Sequence, residues 1–158
     1  VELDPMYPEA HYALGFIAWS TRGAEAAEKW FRKELTLKPT HVGARYYLAE
    51  IMESQGRLEQ ADSILEGLAR DAPQSFLTQF GLGRLKEREG KLEQAARHFR
   101  LAIQLEPSRP EAHYRLGTIL RKLGRLEEAK SEFDRSRELQ MSSERPLTPH
   151  GMGRPRLP

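Results

Sequence analysis

Residues 76–109 read FLTQFGLGRLKEREGKLEQAARHFRLAIQLEPSR, and this 34-residue string recurs in outline along the chain. Six columns carry the recurrence. Ala27, Ala61, Ala95 and Ala129 are 34 apart, as are Phe31, Leu65, Phe99 and Phe133. Leu14, Leu48, Leu82 and Leu116 keep the same spacing, each followed by a small residue: Gly15, Ala49, Gly83 and Gly117. Gly56, Gly90 and Gly124 form a fifth column, and Pro5, Pro39, Pro73 and Pro107 a sixth. A fixed period of this length marks an array in which each unit buries its apolar face only by stacking on its neighbours.

Within a unit, Leu at place 7, a small residue at place 8, Ala at place 20 and Phe or Leu at place 24 define the apolar faces of two helices. Glycine inside a helix costs about 1 kcal/mol against alanine. Its return beside Leu therefore points to a helix contact too close for a side chain. The Gly-Arg/Lys-Leu-Glu turn breaks the first helix, and each proline ends the second. The spacing predicts helices at about 8–21, 24–37, 42–55, 58–71, 76–89, 92–105, 110–123 and 126–139. Gly117→Leu is expected to overpack its helix pair and cost about 1–3 kcal/mol in a thermal melt.

These residues resemble the tetratricopeptide repeat (TPR), a helix-turn-helix unit reading W-x2-L-G-x2-Y…A-x3-F…P. The third unit supplies Gln79, Leu82, Gly83, Lys86, Ala95, Phe99 and Pro107; the fourth supplies His113, Leu116, Gly117, Leu120, Ala129 and Phe133. The resemblance implies an all-α solenoid, a right-handed superhelix of antiparallel helix pairs. Its repeats span 8–41, 42–75, 76–109 and 110–143, a TPR domain over 8–141. There are departures. The aromatic expected at place 4 is His11, Arg45, Gln79 or His113. The first turn glycine falls one place late, at Gly23, and Met141 stands where the fourth closing proline belongs. Val1–Pro5 matches the end of a second helix, so 1–7 are expected to close a preceding repeat. At places 23 and 28 the last unit carries Glu132 and Arg137 where others have Trp30 and Ile64, or Leu35, Ala69 and Ile103. These charges are expected to form the polar outer face of a terminal repeat. The segment 142–158, with four prolines and few apolar residues, is expected to be a disordered Arg/Pro-rich tail.

Charge follows the same division. Of 25 Lys+Arg and 23 Asp+Glu, three bases and one acid lie in Met141–Pro158. The rest is balanced at 22 each, and the net +2 belongs to the tail. A chain-wide basic footprint for nucleic acid is absent. There is no cysteine, which excludes a disulfide framework and Cys-ligated zinc. No window reaches the roughly 18 apolar residues of a membrane span. Arg outnumbers Lys 18 to 7, a bacterial usage that leaves the compartment open between cytoplasm and periplasm.

The resemblance further implies that first helices line a concave groove, through places 2, 5, 6, 9, 12 and 13. In the first unit these include Tyr12, Phe16 and Trp19. In the second they include Tyr46, Tyr47 and Glu50, in the third Phe80, Arg84 and Arg88, and in the fourth Tyr114, Arg115 and Arg121. Place 5 is aromatic throughout. The expected ligand is a protein or peptide segment with apolar anchors near Phe16 and Trp19 and an acidic group near the arginines. The carboxylate clamp of heat-shock chaperone cofactors and the asparagine ladder of O-GlcNAc transferase-like arrays both need asparagine, and this chain has none.

No HExxH, GxSxG, P-loop or GxGxxG occurs, and the five histidines do not converge on one place. The sequence predicts no catalytic site, no metal and no cofactor. The first reading is a protein-interaction scaffold. The alternatives are a C-terminal TPR appendage of an enzyme whose catalytic domain lies upstream, and an element that self-associates through its N-terminal face.

Overall fold

A computed structural model describes residues 10–21 and 23–144. They form eight helices: α1 (Ala10–Thr21), α2 (Ala24–Leu37), α3 (Val42–Ser54), α4 (Leu58–Asp71), α5 (Phe76–Arg88), α6 (Leu92–Leu105), α7 (Pro110–Lys122) and α8 (Leu126–Glu144). Each helix packs on the next, and first helices also meet across a repeat boundary, α1 on α3 and α3 on α5. This is a stack of hairpins with no strand among the described residues. The expected end of a preceding repeat at 1–7 and the tail from 145 onward lie outside the described residues.

The turns follow from backbone chemistry. Gly56, Gly90 and Gly124 adopt φ of 74°, 74° and 78°, the left-handed region that lets the first helix stop and the second start within a few residues. Pro39, Pro73 and Pro107 follow the second helices, and Pro110 opens α7, where a missing N–H costs nothing. α8 has no such stop. With Met141 in the proline column it runs to Glu144, five residues past the predicted 139 and three into the expected tail.

The core explains the small column. A Cβ on Gly83 would lie 2.7 Å from the Phe99 ring, and one on Gly15 would lie 2.7 Å from Phe31. At Gly117 it would meet Phe133 at 2.9 Å and the Ala129 carbonyl at 3.2 Å. The backbone contact cannot swing aside, which supports the expected cost of Gly117→Leu at about 1–3 kcal/mol. The second repeat makes the complementary choice, Ala49 against Leu65, both buried. A smaller side chain at place 24 is thus matched by a larger one at place 8.

Place 4, where the family aromatic is missing, pairs with place 23 in three of the four repeats, and in the second Arg45 reaches Asp71 at 2.8 Å. His11 stacks on Trp30 with ring centroids 5.7 Å apart. Gln79 donates to the Pro73 carbonyl at 2.7 Å, leaving its side-chain oxygen to accept from His98 Nδ1 at 2.8 Å. His113 bridges the Glu132 carboxylate (2.6 Å) and the Pro107 carbonyl (3.2 Å). This corrects the reading of Glu132 as an outward charge: it turns inward to satisfy a buried histidine of its own repeat. Arg137 is exposed, as expected of the outer face.

Candidate functional site

The first helices meet across the repeat boundaries, and their side chains form three zones. The zone at α1 and α3 is aromatic. Phe16 is 48% exposed and meets Tyr47 edge-on at 5.4 Å. Tyr47 in turn stacks on Phe31 at 5.7 Å, and burial followed by the Glu50 charge pushes its phenol up from the ordinary value. Tyr12 packs on His41 at 4.7 Å, and Trp19 is half-buried against the core.

The middle zone is a cross-repeat ion network. Arg84 from α5 reaches back to Glu50 and Glu53 of α3, and Arg88 joins Glu53 (2.8 Å) to Asp62 of α4. The Tyr46 hydroxyl donates to Glu50 at 3.0 Å and accepts from Arg84 at 3.3 Å. Burial works against the Arg84 charge, yet Tyr46, Glu50 and Glu53 outweigh it and hold the guanidinium above its usual value. Burial, reinforced by Glu50, drives the Tyr46 phenol far above the normal tyrosine range. The third zone repeats the motif one boundary on. Glu87 is shared by Lys122 at 2.6 Å and Arg115 at 3.7 Å. A shallow cavity of about 260 Å³ lies between these two zones, lined by Glu53, Arg84, Glu87, Arg88 and Arg115.

Several expected groove residues move on this geometry. Tyr46 and Phe80 are 4% and 7% exposed. Both are covered by different neighbours: Tyr46 lies against Gly81 of the next repeat, and Phe80 stacks on Phe76 and meets Phe99 edge-on within its own repeat. Tyr114, in the last repeat, is 56% exposed at the same place. Arg84 and Arg88 already hold carboxylates of this chain. Arg121 stands over the Phe133 ring at 5.6 Å, on the end of the stack. Asp62 was not among the expected site residues. It shares place 21 with Glu28, which makes its own cross-repeat bridge to Arg57 at 3.0 Å, and that acid pair was the available signal.

Two family models, each described as tetratricopeptide repeat, match residues 24–78 and 80–144. The chain belongs to the tetratricopeptide repeat family. Among solved structures, a thermophilic TPR protein of Thermus thermophilus, TTC0263, superposes with a TM-score of 0.72 at 22% identity, over 88% of this chain and 80% of that one. MamA 41-end from Desulfovibrio magneticus RS-1 gives 0.64 at 24% identity, over 88% and 78%. A further MamA crystal structure gives 0.65 at 19%, over 89% and 82%. At these identities the likeness establishes the TPR fold. No curated protein matches the sequence. Among the described residues of this TPR protein, no group of three or more His, Cys, Asp or Glu is placed to hold a metal ion, and no helix is long and apolar enough to cross a membrane. A TPR stack of this kind is an interaction scaffold for other proteins.

Proposed function

We propose that the concave wall binds an extended segment of a protein partner, with an apolar anchor on Phe16, Trp19 and Tyr47 and an acidic group beside Arg115 and Lys122. The observation that carries this reading is the exposure of Phe16 at 48%, edge-on to Tyr47, on a wall whose other aromatics are mostly covered. Rigid aromatics give large contact area at low entropic cost. At the other end one carboxylate, Glu87, serves two bases. That leaves positive charge to meet an acidic group, whereas Arg84 and Arg88 are matched internally.

The test is a pull-down with the intact protein, repeated with Phe16→Ala and Trp19→Ala together. Truncating such an anchor removes about 2 kcal/mol or more of binding. Partners held by the groove should be lost from the variant at a temperature where circular dichroism shows it folded. Unchanged recovery of every partner would remove the aromatic zone as a binding site.

A further inference from the structure

The end of the stack formed by α7 and α8 is a second surface, separate from the concave groove. At the second boundary the incoming first helix presents places 6, 9 and 13 to the repeat before it, and at the third it presents places 6 and 13. At the second boundary these are Gly81, Arg84 and Arg88, spaced i, i+3, i+7 on one helical face. Gly81 makes room for Leu65 and Tyr46, since a Cβ there would be 2.6 Å from the Leu65 side chain and 3.3 Å from the Tyr46 ring. Arg84 and Arg88 meet the acids of α3. At the third boundary Arg115 and Lys122, again at i and i+7, meet Glu87.

On the end face the same geometry is present with the charge reversed. Tyr114 occupies the Tyr46 place and is exposed. Arg121 occupies the place held by Glu53 and Glu87, and no carboxylate partner for it occurs among the described residues. A cavity of about 400 Å³ opens there between Tyr114, Arg121, Phe133, Ser136, Arg137 and Gln140. We propose that this face binds, in trans, an amphipathic helix of a partner protein carrying a small residue at one position and carboxylates three and seven residues later. The small residue would face Phe133 and Tyr114 as Gly81 faces Leu65 and Tyr46, and the carboxylates would meet Arg121.

Charge complementarity separates this occupant from α1 of a second copy and from residues 145–158. In a second copy, α1 offers Ala13, Phe16 and Ser20 at those positions, a small residue without an acid. Residues 145–158 hold three arginines and no acid.

The probe is a fluorescein-labelled, stapled helical peptide with the sequence of residues 75–89 carrying Arg84→Glu and Arg88→Glu. The unaltered sequence is the comparator, and both are titrated against the full chain by fluorescence anisotropy. The acidic peptide should bind about tenfold more tightly, the scale of a charge reversal across a docking surface. Arg121→Glu should invert the order, and Arg121→Gln should abolish the difference. Arg115→Glu with Lys122→Glu, which alters the groove and spares the end face, should cost less than Arg121→Glu. Equal affinities, no binding, or an order untouched by Arg121→Glu overturns the proposal. So does a larger loss in the groove variant, acidic-peptide binding that requires removal of 145–158, or self-association of the full chain that Arg121→Glu abolishes.

Discussion

Phe99→Ala is expected to destabilise the chain by about 3–5 kcal/mol, the range for emptying a buried aromatic site. Phe99 is fully buried, its ring lies edge-on to Phe80 at 5.5 Å, and it presses on the backbone at Gly83. Removing it leaves a void that rigid helices on either side cannot close. The measurement is chemical denaturation followed by circular dichroism. A solenoid repeat touches only its neighbours, so hydrogen exchange should accelerate most in α5 to α8 and least in α1 and α2. The Ala49–Leu65 pairing supplies an internal check. Phe99→Leu with Gly83→Ala rebuilds the choice of the second repeat and should recover part of the loss caused by Phe99→Leu alone. A double variant no better than the single one would mean that places 8 and 24 do not share one volume.

Arg84→Ala is expected to cost about 2–4 kcal/mol, somewhat under the roughly 3–5 kcal/mol of breaking a fully buried pair, because a fifth of its side chain is exposed. The loss comes from what is left behind. Glu50 and Glu53 are largely buried, at 22% and 14% exposure, and would face each other with Arg88 as the nearest remaining base. Arg84→Lys should recover less than half of the loss, since one ammonium cannot reproduce a fork that reaches two carboxylates and a phenol. Adding Glu50→Gln and Glu53→Gln to Arg84→Ala should restore most of the stability, because the unpaired charge is then gone. Thermal melts of the single and triple variants decide it: equal midpoints would show that the network contributes packing rather than ion pairing.

The array was legible in the sequence because a 34-residue period averages out local noise. Leu82, Gly83, Ala95, Phe99 and Pro107 each have homologous places in other repeats, and helix bounds read from them agree to within a residue or two through α7. The end of α8 was missed because Met141 carries no stop signal comparable to proline. The groove was less legible, because place numbers say which wall a residue is on and not what its neighbour does. Tyr46, Tyr114 and Phe80 share one place, yet Tyr46 and Phe80 are buried and Tyr114 is exposed. Arg84 and Arg121 both read as free cations. The acids one repeat upstream consume the first, and the absence of a fifth repeat among the described residues leaves the second over an aromatic ring. Charge matching between successive units is a pairwise property, invisible to a column read by itself. Glu132 misled for the same reason: its partner His113 lies 19 residues away in its own unit.

The cross-repeat ion pairs differ in their access to water from one boundary to the next. Arg84 with Glu50 and Glu53, at the second boundary, is about one-fifth exposed or less, whereas the bases that bridge the third boundary, Arg100, Arg115, Lys122 and Arg125, are 40–48% exposed. Mobile ions screen the pairs at the third boundary far more than those at the second. Raising the ionic strength therefore slackens the third boundary while the second stays tied. The superhelical pitch becomes a function of the medium, and so does the spacing of any footholds the coil offers to a bound chain.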